Sequence, residues 1–292
     1  MRFLSREGRS NLVSYGLRRH FYTDVYHSWL RAPWSIALGA VTALYLAVNC
    51  LFAAAYLLVG GVEHLGPRSY ADAFFFSVQT IATIGYGHLV PLSHAANALV
   101  TVETLVGLLG VAMVTGLMFA KFARPTARVL WSEVAVVAPF EGVPSLLFRV
   151  ANQRGNLVVE AQIRVILLIS EKTSEGIDLR RQIDLHLRRS VSTVFALSWT
   201  VVHPLTPDSP FVTRTREQLL AGRAEIVASL TGLDDAFSQT IHSRHSWAMD
   251  EIAWNARFVD IMGTLPDGRQ GVDYRRFHEV VPLERPDPGS AP

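Results

Sequence analysis

Two long apolar stretches within the first 122 residues constrain this chain more than any other feature. Trp34 to Leu58 carries no charged side chain over about 25 residues. As an α-helix it would be roughly 37 Å long, enough to cross a hydrocarbon core of about 30 Å with some tilt. A core helix of a large soluble domain would be shorter or keep a polar face, and this one has none. Ala95 to Phe119 is a second such stretch, interrupted by one ionisable residue, Glu103. Half of the 292 residues are apolar, yet the segment after these runs reads as an ordinary globular one, so about two domains are expected. The formal net charge of +2 gives no reason to expect nucleic acid as a partner. Cys50 is the single cysteine, which excludes an internal disulfide framework; inside an apolar run it is expected to be a buried, inert thiol. The first 33 residues are polar and Arg-rich, without the apolar core of a cleavable signal.

Charge placement sets an orientation. Arg2, Arg6, Arg9, Arg18, Arg19 and Arg31 precede the first run, and Lys121, Arg124 and Arg128 follow the second. The segment between holds Arg68 alone, beside Glu63 and Asp72. The positive-inside rule then puts both termini in the cytoplasm and the connecting segment outside.

That segment is too apolar to be only a loop. Ser69 and Asp72 have the spacing of a capping box, and Ala73 to Ala82 continues as a half-helix of about three turns, too short to span. Irregular backbone at membrane depth is tolerated only when buried in protein or lining a water-filled cavity. The half-helix runs directly into Thr83-Ile84-Gly85-Tyr86-Gly87. Stacked rings of inward carbonyls can replace the water around K+, and successive carbonyls point one way only if the backbone alternates in hand. Gly85 and Gly87 tolerate the positive φ this needs. The carbonyls of Thr83, Ile84, Gly85 and Tyr86, with the Thr83 hydroxyl, are the expected ion sites. Ile84 and Tyr86 are expected to turn outward and brace against the aromatic half-helix, whose negative dipole end favours a cation below the filter. One such loop cannot close a ring, so a homotetramer is expected. No cofactor is expected beyond K+ itself.

Beyond the filter, further motifs occur in a recognisable order. Asp24-Val-Tyr-His-Ser-Trp-Leu30, Phe119-Ala-Lys-Phe-Ala-Arg-Pro125, Arg149-Val-Ala-Asn152, Thr173-Ser-Glu-Gly176, Val202-His-Pro204 leading to Ser209-Pro210, Asp250-Glu-Ile-Ala-Trp254 and Asp273-Tyr-Arg-Arg-Phe-His278 are the carriers. With them the chain resembles the prokaryotic inward-rectifier potassium channels of the KirBac type, from about Tyr22 to Val281. The resemblance implies an interfacial slide helix at Phe21–Leu30, a two-helix pore with a re-entrant pore helix, and an immunoglobulin-like all-β cytoplasmic sandwich that extends the pore in four copies. It also implies sensitivity to anionic lipid or phosphoinositide, with Arg18, Arg19, Lys121, Arg124 and Arg128 as a basic collar under the inner leaflet, each charge worth about 1 kcal/mol there. Glu175 and Glu251 match acids of the family's cytoplasmic pore. A bacterial cytoplasmic (inner) membrane is the expected location.

The residues agree with a β-rich second half. Val158 to Val165 alternates as a half-buried strand, and short apolar runs recur at Val134–Phe140, Leu146–Val150, Val194–Val202, Glu225–Leu230 and Arg257–Ile261. The expected organisation is a cytoplasmic segment with slide helix at 1–33, the pore at 34–122, a linker at 123–132, the sandwich at 133–283 and a Pro-rich disordered tail at 284–292. Within the inner helix, Thr104, Leu108, Val111, Thr115 and Phe119 share one face and are expected to line the pore. Phe119 is the expected gate, Gly107, Gly110 and Gly116 the expected points of bending, and the Asn255–Gly263 loop a second place for a gate.

Several positions depart from the family. His88 stands directly after the filter where many potassium channels carry an acid, and Gln79 and Leu89 replace the Glu–Arg pair of eukaryotic relatives. Val111 replaces the inner-helix acid of strong rectifiers, so polyamine block in the cavity is expected to be weak. Glu103 is the unusual acid: a charge in a spanning helix costs about 2.5–3.5 kcal/mol on insertion scales. One residue from Thr104, it points about 100° from the pore face, toward the back of the pore helix. A structural hydrogen bond there, with the carboxyl neutral or partly so, is expected; the alternative is that its charge tunes filter occupancy. His242 and His245 are expected to be ordinary polar positions. No Arg-every-third-residue helix exists, so gating by a voltage sensor of that kind is excluded. A ligand-gated receptor channel would need a far larger external segment, and a four-repeat transporter more pore loops. No H-E-x-x-H, G-x-S-x-G, P-loop or G-x-G-x-x-G pattern supports an enzyme. A lipid sensor that does not conduct is the remaining rival.

Overall fold

Pro33 separates two helices: α1 (Val25–Arg31) ends before it and α2 (Trp34–Val59) starts at the next residue. The ring presets φ, and its missing N–H is no loss where the first helical donors are unpaired anyway. α2 ends at Gly60, whose φ of 67° lets its N–H return 2.8 Å to the Tyr56 carbonyl. This is a computed structural model that describes residues 5–6, 25–66, 69–124, 127–264 and 267–283. Arg18, Arg19, the first four residues of the expected slide helix and the expected disordered tail at 284–292 lie outside the described residues. The chain divides into two units, Gly16–Arg124 and Met1–Tyr15 with Pro125–Pro292.

The first unit is helical. After α2, β1 (Val62–Glu63) leads to α3 (Tyr70–Ile81), and β2 (Val90–Pro91) leads to α4 (His94–Phe122). β1 and β2 pair antiparallel, a two-residue ribbon that the sequence did not announce. α2 and α4 each carry a mean hydropathy of 2.0 over their most apolar window and are exposed along most of that length. A core helix of a soluble protein would be covered; these present apolar side chains outward, as a membrane helix must. Cys50, expected to be buried, is exposed on α2. α3 has the expected length, but only half of the expected capping box forms. Ser69 Oγ accepts from the Asp72 N–H at 3.3 Å, while the Ser69 N–H is taken by the Gly66 carbonyl at 3.1 Å.

Small residues let these helices meet. Ala53, Ala73 and Ala96 are fully buried around Tyr56 and Phe76, whose rings meet edge-on at 4.8 Å. α4 runs unbroken through Gly107, one of the expected points of bending. At Gly107 the packing is close: a Cβ there would stand 3.0 Å from the Ile81 carbonyl oxygen at the end of α3.

The second unit is a β-sandwich. β3 (Val129–Trp131), β4 (Ala135–Phe140), β5 (Val143–Asn152), β6 (Val158–Lys172), β7 (Asp178–Asp184), β8 (Val191–Phe195) and β9 (Ser198–Pro204) come first. Two short helices, α5 (Pro210–Thr213) and α6 (Arg216–Ala221), precede β10 (Glu225–Asp234) and β11 (Gln239–Ala248). β12 (Ile252–Trp254), β13 (Ala256–Phe258), β14 (Met262–Thr264), β15 (Gln270–Val272) and β16 (Val280–Pro282) complete it. One sheet orders β11-β10-β6-β7 with β8 on β6; the other orders β12-β4-β5-β3 with β9 on β5. Trp131, Leu146, Phe148, Ile163, Leu167, Ile226, Leu230 and Trp247 fill the space between them.

The strands correct several sequence expectations. Val129–Trp131, assigned to the linker, is a strand, and Trp131 belongs to the core. The run Val194–Val202 is not one strand: it breaks after Phe195, so that β8 joins one sheet and β9 the other. Asn255–Gly263 is not a loop, because β13 pairs with β16 and β14 with β15. The alternation of Val158–Val165 slips at Glu160, which has φ 51° and lies where the register of β6 against β10 shifts by one residue, between the pairs Gln162–Thr231 and Val159–Leu233. The extra residue returns Ala161, Ile163 and Val165 to the core face.

The Gly107 packing is testable. Gly107→Val forces a branched side chain against backbone, and overpacking of this kind costs about 1–3 kcal/mol. A lower thermal midpoint of the detergent-purified protein is expected, with Gly39→Ala, whose Cβ meets nothing within 4 Å, unchanged.

Candidate functional site

The residues after α3 depart from every regular conformation. Thr83, Gly85 and Gly87 have φ of 56°, 60° and 82°, and the two residues between them do not share that hand. The backbone therefore alternates along Thr83–Gly87, which is what stacked carbonyls facing one way require. Glycine makes two of these positions easy, and Thr83 adopts the third because α3 holds it. Its N–H reaches the Thr80 carbonyl at 3.1 Å, and the Ile84 N–H reaches the Gln79 carbonyl at 2.8 Å. The left-handed state of Thr83 was not foreseen, and a β-branched residue carries no sequence signal for it.

Ile84 and Tyr86 are 47% and 75% exposed. Within the protomer, then, much of both side chains stays uncovered. Beyond the filter, the His88 carbonyl meets His64 Nδ1 at 3.0 Å, and the two imidazoles stack with centroids 5.0 Å apart. This ties the β1–β2 ribbon to the end of the filter segment.

α4 has one buried stripe, Ala96, Glu103, Gly107 and Lys121. Thr104, Leu108, Val111, Thr115 and Phe119 are exposed in the protomer. Val111 and Thr115 also border a cavity of about 320 Å³ between α2 and α4, closed at one end by Ile81. Phe119 is 73% exposed in the protomer, and it is Phe122 that meets Trp34, at 4.5 Å.

Glu103 is fully buried, and so are Asn49, Tyr56 and Ser77. The Tyr56 hydroxyl donates to Glu103 Oε2, and Ser77 Oγ is in hydrogen-bond contact with Oε1. Ser77 Oγ also lies 3.0 Å from Asn49 Oδ1, and Asn49 Nδ2 donates to the Tyr45 carbonyl at 2.8 Å. The acid of α4 is thus joined to α2 through Tyr56 and to the pore-helix candidate α3 through Ser77. Glu103 itself was singled out in the sequence. Tyr56, Ser77 and Asn49 were not, since nothing in the sequence shows which residues of the other two helices face Glu103.

The basic collar is changed by the structure. Lys121 is 7% exposed, and its ammonium donates to the carbonyls of Trp29, Ala32 and, more distantly, Leu30, at 2.9, 2.6 and 3.5 Å. Arg124 donates to the Leu30 carbonyl at 2.5 Å. The last carbonyls of a helix lack partners and carry its negative end, so cations collect there. Lys121 is therefore a cap for α1 and not an open lipid contact. Arg124 keeps an exposed position, and Arg128 is exposed in the other unit.

The two acids also differ. Glu175 sits exposed in the β6–β7 turn, where hydroxyl hydrogen bonds, that of Ser174 foremost, hold its carboxyl at about 2. Glu251 is met by Arg6 at 2.6 Å and accepts from the Ala248 N–H at 3.0 Å, with its side chain 12% exposed. Its charge is paired with that of Arg6 within the chain. His242 bonds Thr231 at 3.1 Å and His245 stacks on Trp131, both on β11.

A family model described as inward rectifier potassium channel C-terminal domain matches residues 129–291, and one described as ion channel matches residues 40–124. The chain is 47% identical to the inward rectifier potassium channel Kirbac3.1 of Paramagnetospirillum magnetotacticum over 282 residues, 96% of each protein. It is 31% identical to the human G protein-activated inward rectifier potassium channel 3 over 311 aligned residues, 98% of this chain and 79% of that one.

The cap on α1 predicts a local effect. Lys121→Met removes the ammonium donor from the Trp29 and Ala32 carbonyls at the end of α1, with Arg124 still on that of Leu30, and hydrogen exchange across residues 25–36 should accelerate in lipid nanodiscs. Arg128→Ala, remote from these carbonyls in sequence and unit, should leave that exchange unchanged.

Proposed function

The chain belongs to the inward rectifier potassium channel family, an integral membrane channel and not an enzyme, and from that premise we propose that its ion pathway runs through Thr83–Gly87. The observation that carries this is the alternation of backbone hand at Thr83, Gly85 and Gly87, at the end of a short helix set between two long apolar ones. Four copies close the ring. The exposure of Ile84 and Tyr86 supports this, because an aromatic and a branched aliphatic side chain left uncovered beside a filter call for neighbouring subunits. Thr104, Leu108, Val111, Thr115 and Phe119 then line the cavity, and four Phe119 rings close it by excluding water. With Val111 in place of an acid, polyamine block in the cavity is weak. Glu175, ionised at any physiological pH, draws cations toward the cytoplasmic vestibule.

The Arg-rich flanks support an orientation with both termini cytoplasmic, and the membrane of this reading is a bacterial inner membrane. Arg124 and Arg128, together with Arg18 and Arg19, are the residues left to meet anionic lipid once Lys121 is assigned to α1.

The test is rubidium uptake into liposomes containing the purified chain. Rb+ and K+ should enter and Na+ and Li+ should not. Gly85→Ala should abolish uptake, because a Cβ disfavours the left-handed φ of 60° seen there. Selective flux through Gly85→Ala would sink the filter assignment. Phe119→Ala should raise basal uptake, and an unchanged rate would remove the ring at Phe119 as the gate.

A further inference from the structure

We infer that Glu103 is a neutral carboxylic acid that donates its proton to Ser77, and that in this form it positions the pore helix, and through it the filter, against both spanning helices. The hydrogens available to the cluster decide this. The Tyr45 carbonyl can only accept, so Asn49 must turn its NH2 toward it across 2.8 Å, and this fixes the amide orientation. Asn49 Oδ1 then faces Ser77 Oγ at 3.0 Å. Oδ1 bears no hydrogen, so the one hydrogen of Ser77 belongs on that contact. Ser77 Oγ is left with lone pairs toward Glu103 Oε1, and a hydrogen must come from the acid. Tyr56 supplies its own hydrogen to Oε2.

With Glu103 ionised, the contacts Tyr56–Glu103, Ser77–Glu103 and Ser77–Asn49 would share two hydroxyl hydrogens. With Glu103 protonated, each contact has its own hydrogen. All four side chains are fully buried, so water has no access to repair a missing one. Among the described residues no ion pair involves Glu103.

The chain of bonds runs from Glu103 to Ser77, on to Asn49 and then to the α2 backbone, with Tyr56 closing it from the other side. It crosses α4, α3 and α2 and gives α3 one orientation about its axis. The end of α3 holds Thr83 and Ile84 through their N–H groups, so a rotation of α3 would move the first filter carbonyls. Glu103 is a positioning residue and touches no ion.

Infrared spectroscopy of the full-length protein in lipid, with 13C-labelled glutamate, reads the proton directly. A protonated-carboxyl C=O band is expected in the wild type at neutral pH. It should be missing in Glu103→Gln and move to higher frequency in Tyr56→Phe, which removes the bond to Oε2. A wild type that shows no such band relative to Glu103→Gln overturns the inference, whatever the variants do. Flux gives the second readout. Glu103→Ala should lose tetramer stability and selective Rb+ uptake, whereas Glu103→Gln, which keeps a donor for Ser77 and an acceptor for Tyr56, should restore both. A Gln variant that assembles but passes Na+ would show that the charge is required. The positioning role rests on the filter assignment and the protonation does not. If Gly85→Ala still conducts while the band is present, it is the filter assignment that fails.

Discussion

A polypeptide that leaves helical geometry at membrane depth must find partners for its backbone inside protein or turn it toward water. Everything in the helical unit answers to that constraint at Thr83–Gly87. The segment cannot be held by a sheet or by solvent, so it hangs from the last turn of α3 through two N–H groups. α3 in turn is too short to be anchored in both interfaces, so its position depends on side chains. Ser77 and Phe76 face α2 and α4, and Gly107 lets α4 come within contact of the Ile81 backbone. Small residues bring the helices close, and one polar cluster fixes their rotation.

The two units are held by different physics. In the sandwich, burial of Trp131, Phe148 and Trp247 between two sheets takes apolar surface out of water, the ordinary driving force of a soluble domain. In the helical unit the surroundings are as apolar as the side chains, so burying Leu or Val gains little. The work falls to close packing and to hydrogen bonds that have no competing water. This is why a buried acid can belong there: as a neutral donor and acceptor it finds partners on two other helices, which a leucine of the same volume would not. The same setting explains why alanines and glycines, residues of small energetic weight in a soluble core, sit at the helix crossings.

How much of this was legible in the sequence depends on the range of each interaction. The spans, the half-helix and the filter are written in contiguous residues, because length, hydropathy and a five-residue motif are local properties. The family could be recognised for the same reason. Pairing across the chain was not legible. The ribbon of Val62–Glu63 with Val90–Pro91 is only two residues per strand, below any pattern. The run Val194–Val202 is mostly apolar, broken only by Ser198 and Thr200, and nothing local says that its two ends enter different sheets. β11, with Ser243, Arg244, His245 and Ser246 in succession, was missed because polar residues interrupt the inward face between Ile241 and Trp247. The bulge at Glu160 shows only once β10, its partner strand, is known.

Charge was the most misleading signal, and for one reason. A sequence shows where a cation or acid lies along the chain but not what faces it. Lys121 looked like part of a lipid-facing collar, yet it points into the open carbonyls at the end of α1, 89 residues from its Ala32 partner. Glu251 looked like a pore acid, yet Arg6, 245 residues away, matches it. Glu175, by contrast, keeps its exposed place, because its stabilising hydroxyls, Ser174 and Thr173, are its own neighbours in the turn. The distinction has a consequence for function. Charges that are satisfied inside the chain move with the elements they join, so Lys121 links the end of α4 to α1, and any movement of the inner-helix end is transmitted to the helix before Pro33. The unmatched charges, Glu175 among them, contribute most to the field an ion would feel, because a close pair of opposite charges largely cancels at a distance. A field for this channel is therefore to be drawn from the paired structure, not from the count of acids and bases along its sequence.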